Sequence, residues 1–439
     1  MEHERIDLLD ELEWRGLLHQ CTDEGGLREH LGDPDGAPRK VYAGFDPTAD
    51  SLTIGNLVPI MLLAHVKRAG HVPVVLMGGG TGLIGDPSGK SSERTLMTAE
   101  MVAENVLAQK PIFYAVLGSV DGAEHVVLNN AEWLCGLGYI EALRDIGKHF
   151  SVNMMMQKES VKERLHNREQ GISYTEFSYM ILQAYDFEHL YEHDGVTVQA
   201  GGSDQFGNIV AGIDLVRRMH AAESGGVTDS DSFGLTAPLV TKADGGKFGK
   251  TETGAIWLTA ARTSPYAYFQ FWLNTSDEDV GKFLRTFTIL DRPTIESLEA
   301  EHAANPGARA AQKALAREAT TLLHGKDAAE QAEAAGRALF SGDLAALDEP
   351  TLREVFSNVP SSQHSRSQLT EGVDPLDLLV ETGLAKSKRE GREFLAAGSV
   401  SVNGVKIGSD TRLDDSKLLH GSLIALRRGK KAWHLTRWG

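Results

Sequence analysis

A chain of 439 residues is too long for one compact core and predicts two or three domains, each able to bury its own apolar side chains. No apolar stretch approaches the ~20 residues of a membrane helix, the N-terminus carries Glu2, Glu4, Asp7, Asp10, Glu11 and Glu13 where a signal peptide is basic, and Cys21 and Cys135 are the only cysteines. These features exclude a membrane span, a disulfide framework and a zinc ribbon, and predict a cytoplasmic protein. The net charge of -17 argues against a nucleic-acid partner, but its distribution is uneven: Val373–Gly439 has twelve Lys or Arg against eight Asp or Glu, net +4, and the remainder has 32 against 53, net -21. A basic tail on an acidic body predicts an appended polyanion-binding module.

An amphipathic N-terminal helix is expected from about Ile6 to Gln20. Lys40 to Ala43 then reads as a strand, Gly44 to Ser51 as a turn-rich loop, Gly55 to Ala69 as a helix closed by Gly70, and Val72 to Met77 as a second strand. This strand, helix, strand unit predicts an open, doubly wound α/β domain with a parallel sheet. Its ligands should lie beyond the carboxyl ends of the strands, where the Gly44 loop and the Gly78 to Lys90 loop emerge. From Ser264 to about Leu347 the pattern turns helical, with an Ala-rich run from Ala308 to His324 ended by Gly325. The polar stretch from Asp348 to Gly372 reads as a linker. Beyond it, Pro375 to Glu381 reads as a helix, Ser387 to Glu390 has capping-box spacing at the start of another, and Asn403-Gly404 between short β-branched runs signals a hairpin.

Gly85-Asp-Pro-Ser-Gly-Lys-Ser91 comes near a phosphate-binding P-loop but has one residue too few between its glycines, and Pro87 lacks a cradling N–H. Pro47 to Asn56 ends at a helix start, where free N–H groups, the bare Gly55 and the polar Thr48, Thr53 and Asn56 suit the phosphates and base of ATP; an ordinary capped loop is the plainer alternative. Lys247-Phe-Gly-Lys-Thr251, after Gly245-Gly246, sets two lysines in a hinged loop able to close on a leaving pyrophosphate, or forms a solvated charged loop.

Taken together, Thr-Ile-Gly-Asn and Lys-Phe-Gly-Lys-Thr resemble the signature pair of class I aminoacyl-tRNA synthetases. Tyr42 to Ser51, Gly82 to Ser88, Phe150 to Asn153, Glu176 to Met180, Gln183 to Asp186 and Gly201 to Gln205 are similar to segments of bacterial tyrosyl-tRNA synthetases, and the resemblance runs from about Leu12 to the C-terminus. Thr53 and Asn56 stand where the commoner form of the family has histidines, as in some tryptophanyl enzymes.

The resemblance implies a Rossmann-like catalytic domain (1–240), a signature-lysine loop with a helical anticodon-binding domain (241–347), the linker (348–372) and an α+β S4-like RNA-binding domain (373–439). It implies a tyrosine–tRNA ligase that forms tyrosyl-adenylate from tyrosine and MgATP and passes tyrosine to tRNA(Tyr), without a tightly bound cofactor, as a homodimer. Tyr42 and Asp186 are expected at the substrate phenol, and Asp86, Tyr179 and Gln183 at its ammonium group. Gly44, Asp46, Thr48, Thr53, Gly55, Asn56, Gly202, Asp204, Gln205, Lys247 and Lys250 are expected at ATP or the adenylate. In the tail, Lys386, Lys388, Arg389, Arg392, Arg427 and Arg428 are candidates for tRNA contacts, with a solvated surface as the alternative. Thr53 and Asn56 favour a tryptophanyl enzyme, whereas Asp186 with Tyr42 favours a phenol; a non-catalytic RNA-binding protein is opposed by the lysine pair.

Overall fold

A computed structural model describes residues 6–33, 36–86, 96–158, 161–162, 172–223, 231–243, 245–246, 248–251, 254–357, 359–429 and 432–439. Two compact units emerge, Met1–Ser264 with Phe271–Gly325, and Pro265–Gln270 with Lys326–Gly439.

In the first unit β1 (Gln20–Cys21), β2 (Lys40–Phe45), β3 (Val72–Met77), β4 (Val126–Asn129), β5 (Val196–Gly202) and β6 (Phe233–Ala237) form one sheet in the order β1-β6-β5-β2-β3-β4. Every pairing is parallel except that of the two-residue edge strand β1 with β6. The predicted doubly wound sheet is therefore present. The chain passes from β2 to β3 and β4 on one side, then places β5 and β6 on the other, so β2 and β5 adjoin where the winding reverses.

The crossover helix between β2 and β3, Leu57–Arg68, follows a 3₁₀ turn at Ile54–Asn56. Almost all of its residues are buried, as its nearly continuous apolar sequence requires. Even Lys67 is buried, and its Nζ donates to the carbonyl of Leu117 at 2.8 Å. The long helix Tyr174–Asp194 is started by Ser173, whose hydroxyl accepts from Glu176 N, and stopped by Gly195.

Helices Val280–Phe287, Arg292–Ala304 and Ala310–His324 also belong to this unit. Buried Arg15, one residue past the N-terminal helix Leu8–Trp14, donates to the carbonyls of Arg285, Thr288 and Leu290 at 2.9, 2.9 and 2.6 Å. That charge-assisted clamp ties the first helical segment to the end of Val280–Phe287. The division thus falls inside the expected helical domain of 241–347: the three helices from Val280 to His324 go with the sheet, whereas Pro265–Gln270, the first part of the helix Pro265–Leu273, and the helix Lys326–Ser341 go with the C-terminal unit.

Residues 348–372, expected as a linker, contain the helix Glu349–Val355, the strand β9 (Ser361–His364) and the short helix Ser367–Glu371. With β10 (Val400–Val402), β11 (Val405–Lys406), β12 (Leu423–Arg428) and β13 (Ala432–Trp438), β9 builds a sheet ordered β11-β10-β12-β13-β9. Polar β9 runs parallel to β13, Ser361 opposite Leu435 and His364 opposite Trp438. Ser362 Oγ bridges His364 Nε2 at 2.6 Å and His434 Nε2 at 3.0 Å, so hydrogen bonding supplies what this edge strand lacks in apolar surface. The Asn403-Gly404 turn is present, both residues having positive φ, and joins β10 to β11.

Candidate active site

A cavity of about 510 Å³ opens at the carboxyl ends of β2, β3 and β5, around the point where the winding reverses. Its walls include Tyr42, Gly44, Asp46, Thr48, Thr53, Gly55, Asn56, Asp86, Tyr179, Gln183, Asp186, Gly202, Asp204 and Gln205. The fold has brought together lining residues separated by as many as 206 positions (Tyr42 to Phe248).

At one end the Asp186 carboxylate is 2% exposed. Its Oδ2 accepts from Asn130 Nδ2 and its Oδ1 from Trp133 Nε1, both at 2.8 Å. Burial pushes its pKa up to about 7, an effect opposed by these two hydrogen bonds and reinforced by the negative charge of Asp46. Tyr42 stands nearby on β2, and its buried hydroxyl has no hydrogen-bond partner among the described residues. Burial, and then Asp186, raise the Tyr42 pKa, so the phenol stays protonated. A buried O–H without a protein partner beside a buried carboxylate suits a ligand carrying a hydroxyl, which can accept from the one and donate to the other.

Across the cavity, Tyr179 Oη donates to Asp46 Oδ2 at 2.9 Å, and Thr81 Oγ1 donates to Asp46 Oδ1 at 2.8 Å. Gln205 Nε2 donates to Asp86 Oδ2 at 2.8 Å, while Asn208 Nδ2 donates to Gln183 Oε1 at 3.0 Å. Tyr179, Gln183 and Asp186 line the cavity from one face of the helix Tyr174–Asp194, as their i, i+4, i+7 spacing predicts. Two carboxylates around a tyrosine hydroxyl form an electronegative cradle suited to an ammonium group.

The two signature motifs meet here. Ile54 N donates to the carbonyl of Ile256, and Ile256 N to that of Gly249, at 2.9 and 3.0 Å. Leu258 N reaches the carbonyl of Leu52 at 2.8 Å, and Thr53 pairs with Trp257. Phe248 carries the loop into an aromatic socket, its ring stacked on Phe287 (5.1 Å between centroids, 11° between planes) and edge-on to Phe271 and Phe283. Lys247 and the side chain of Lys250 lie outside the described residues, as does the near P-loop from Pro87 onward; the backbone of Lys250 starts the strand β7 (Lys250–Thr251), paired with β8 (Gly254–Ala255).

Within Thr-Ile-Gly-Asn, the backbone N–H of Thr53 and its Oγ1 meet Asn56 Oδ1 at 3.1 and 3.0 Å. A backbone N–H only donates, which fixes the atom it meets as the amide oxygen. The Thr53 hydroxyl must then donate to the same oxygen, and Asn56 is left presenting its Nδ2 protons.

Comparison with known proteins bears on the chemistry. Residues 35–341 match the family described as tRNA synthetases class I (W and Y). Residues 351–436 match the tyrosine–tRNA ligase SYY-like C-terminal domain. A tyrosine–tRNA ligase from Geobacillus kaustophilus is 49% identical over 437 residues, spanning 99% of this chain and 100% of that one. The chain belongs to the tyrosine–tRNA ligases. A second such ligase, from Roseiflexus castenholzii, is 48% identical over 98% of this chain and 99% of its own. The crystal structure of a C-terminally truncated Aspergillus nidulans mitochondrial tyrosyl-tRNA synthetase, 31% identical, superposes with a TM-score of 0.67 over 77% of this chain and 96% of that chain.

Several residues at the site of this class I synthetase were not singled out by sequence motifs: Thr81, Asn130 and Gln199 in the cavity wall, and Trp133 and Asn208, which donate to the wall residues Asp186 and Gln183. Asn130 follows β4 directly, so a polar residue at the carboxyl end of a parallel strand was the available signal. The tail candidates separate in space. Lys386, Lys388, Arg389 and Arg392 are exposed around the start of the helix Lys388–Ala396, where Lys388 pairs with Asp377 and Arg389 with Glu393. Arg428 joins them through Phe394 of that helix, its guanidinium 5.1 Å from the ring centre. Arg427 points to the other face of β12, against Trp433 at 4.9 Å and Ser401 Oγ at 3.2 Å, because successive strand residues alternate.

Proposed function

We propose that the cavity holds tyrosine with its phenol between Tyr42 and Asp186 and its ammonium group among Asp86, Tyr179 and Gln183, next to MgATP. The buried Tyr42 hydroxyl without a partner beside the Asp186 carboxylate carries this reading. The tyrosine carboxylate attacks the α-phosphorus in line and pyrophosphate leaves; the terminal ribose hydroxyl of tRNA(Tyr) then attacks the tyrosyl carbonyl of the adenylate, forming the ester as AMP leaves. No protein nucleophile is needed; positioning and charge stabilisation supply the catalysis. ATP–pyrophosphate exchange tests it: tyrosine should support exchange, whereas phenylalanine and tryptophan at equal concentration should not. Comparable exchange with tryptophan would exclude the phenol pocket.

On the ATP side, Asn56 Nδ2 is the donor from the Thr-Ile-Gly-Asn motif, and Thr53 holds it in place, since the Thr53 proton is committed to Asn56. Thr53→Ser should leave adenylate formation near wild type. Thr53→Val should slow it about three- to tenfold, the value of one neutral hydrogen bond, and should add nothing in an Asn56→Ala background. Additive losses would show that Thr53 contacts ATP independently.

A homodimer is the assembly this fold supports. Tyr139, Ile140, Leu143, Val152 and Met154 are exposed within one short stretch, Ile140 to 73%. So much exposed apolar surface marks an interaction face, here for a second copy. Sedimentation should give twice the chain mass, reduced by Ile140→Asp with Leu143→Asp; a monomeric wild type at micromolar concentration would refute it.

The C-terminal unit supplies the RNA contacts, chiefly from the Lys388–Ala396 helix and Arg428. Cutting after Gly372 would remove β13 and leave β9 unpaired, so point substitutions are the cleaner test. Arg392→Ala with Arg428→Ala should raise the KM for tRNA about tenfold and flatten its salt dependence by about one unit per lost phosphate contact, with exchange unchanged. Unaltered charging at low and moderate salt would place the RNA elsewhere. No helix among the described residues is long and apolar enough to cross a membrane. A tRNA substrate supports a cytoplasmic location, which cell fractionation checks.

A further inference from the structure

Two donors hold the Asp186 carboxylate, and they are anchored differently. Asn130 is buried, with its Oδ1 fixed by Gly80 N at 2.7 Å and its Nδ2 also within 3.1 Å of Thr81 Oγ1. Trp133 sits on the four-residue helix Ala131–Leu134, none of whose residues is fully buried. Trp133 itself is half-buried and packs against the buried cluster that includes Tyr42, Phe187 and Leu190, and an indole on so short an element takes its rotation from such outside contacts.

A second contact is a stack. The His189 ring lies on Trp133 with centroids 4.3 Å apart and planes 20° from parallel. His193, one helical turn further along, lies on His189 at 4.2 Å and 18°, and its Nδ1 is 3.0 Å from the His189 carbonyl. Tyr185 meets His189 at a tilt, 6.2 Å away. All belong to the helix Tyr174–Asp194, which also carries Asp186 three residues before His189, so the carboxylate and the brace of its donor share one rigid scaffold.

We propose that His189 is a positioning residue for tyrosine recognition, its stacked ring holding the Trp133 indole so that Nε1 reaches Asp186. The inference rests on the reading of Asp186 as the group that meets the substrate phenol. His189 touches neither substrate nor reacting atoms in this role; it acts through Trp133. An aromatic ring of any kind can brace the indole, whereas a small or flexible side chain cannot.

The test compares His189→Ala, His189→Gln and His189→Phe in the full-length enzyme, by kcat/KM for adenylate formation with tyrosine and with phenylalanine and by the KM for ATP. Losing the stack should lower the tyrosine-to-phenylalanine ratio about three- to tenfold in His189→Ala and His189→Gln, the scale of one aromatic pair, with the KM for ATP unchanged. His189→Phe should restore the ratio to within about twofold of wild type, well inside that scale. In a Trp133→Phe background, where no N–H remains to be aimed, His189→Ala should have no further effect on the ratio. A wild-type ratio in His189→Ala and His189→Gln, or equal damage by Ala and Phe, would overturn the inference. Asp186→Asn in the same assay separates the two levels: if it too leaves the ratio unchanged, the underlying reading of the pocket fails.

Discussion

Asp186→Asn should reduce kcat/KM for tyrosine and collapse the preference over phenylalanine by on the order of 10²-fold, the combined scale of a lost charged acceptor and of donors left mismatched. Wild-type discrimination is expected at on the order of 10⁴–10⁵, a range taken from enzymes of this class. Asparagine keeps the shape but offers one acceptor oxygen where Asn130 and Trp133 each use one of two. Tyr42→Phe should do less harm, because the anionic acceptor remains. A tyrosine-to-phenylalanine ratio that stays at its wild-type value in Asp186→Asn would remove this residue from recognition.

The same carboxylate predicts a pH dependence. With its pKa near 7, Asp186 is protonated at lower pH and loses its anionic acceptor. The kcat/KM for tyrosine should therefore rise with pH to a plateau above about 7, and that limb should be absent in Asp186→Asn. Stability runs the opposite way. A folded-state pKa above the unfolded value stabilises the fold at low pH, fully so below about 4, and the stabilisation is lost as pH rises through about 7. The Tm of Asp186→Asn relative to wild type should accordingly increase between pH 4 and pH 8.

Gly249→Ala should slow adenylate formation about 10²-fold, the cost of displacing catalytic groups by roughly 1 Å. Gly249 has φ +76, where an L side chain is strained, and a Cβ there would overlap Cγ2 of Ile54. The loop would have to leave the Thr-Ile-Gly-Asn motif, taking Lys247 and Lys250 with it. Tyrosine binding, made at the other end of the cavity, should change little. Lys250→Ala should share the signature of low kcat with near-normal tyrosine binding. Pre-steady-state adenylate formation in Gly249→Ala within about threefold of wild type, far short of the 10²-fold scale, would mean that the glycine contact does not position the loop.

The legible parts of the chain were those with local rules. Strands β2 and β3, the buried crossover helix and the face carrying Tyr179, Gln183 and Asp186 follow from periodicity and caps. Asn130 and Trp133 escaped because their meaning lies in what they touch, 56 and 53 residues away on Asp186. Strand β9 read as a linker because Ser-Ser-Gln-His carries no apolar alternation and takes its order from β13 at the far end of the chain. Arg427 and Arg428 looked like one basic pair in sequence, and the pleat sends them to opposite faces.

The stitching of residues 52–54 to 256–258 also sets a timetable for biosynthesis. Thr53 must wait for Trp257, made 204 residues later, before the two can pair. At ~5–20 residues per second the ribosome takes roughly 10–40 s to supply it. Through that interval the nascent chain holds the Thr-Ile-Gly-Asn turn without the segment it pairs with, so the cavity is completed only after the signature loop has left the exit tunnel.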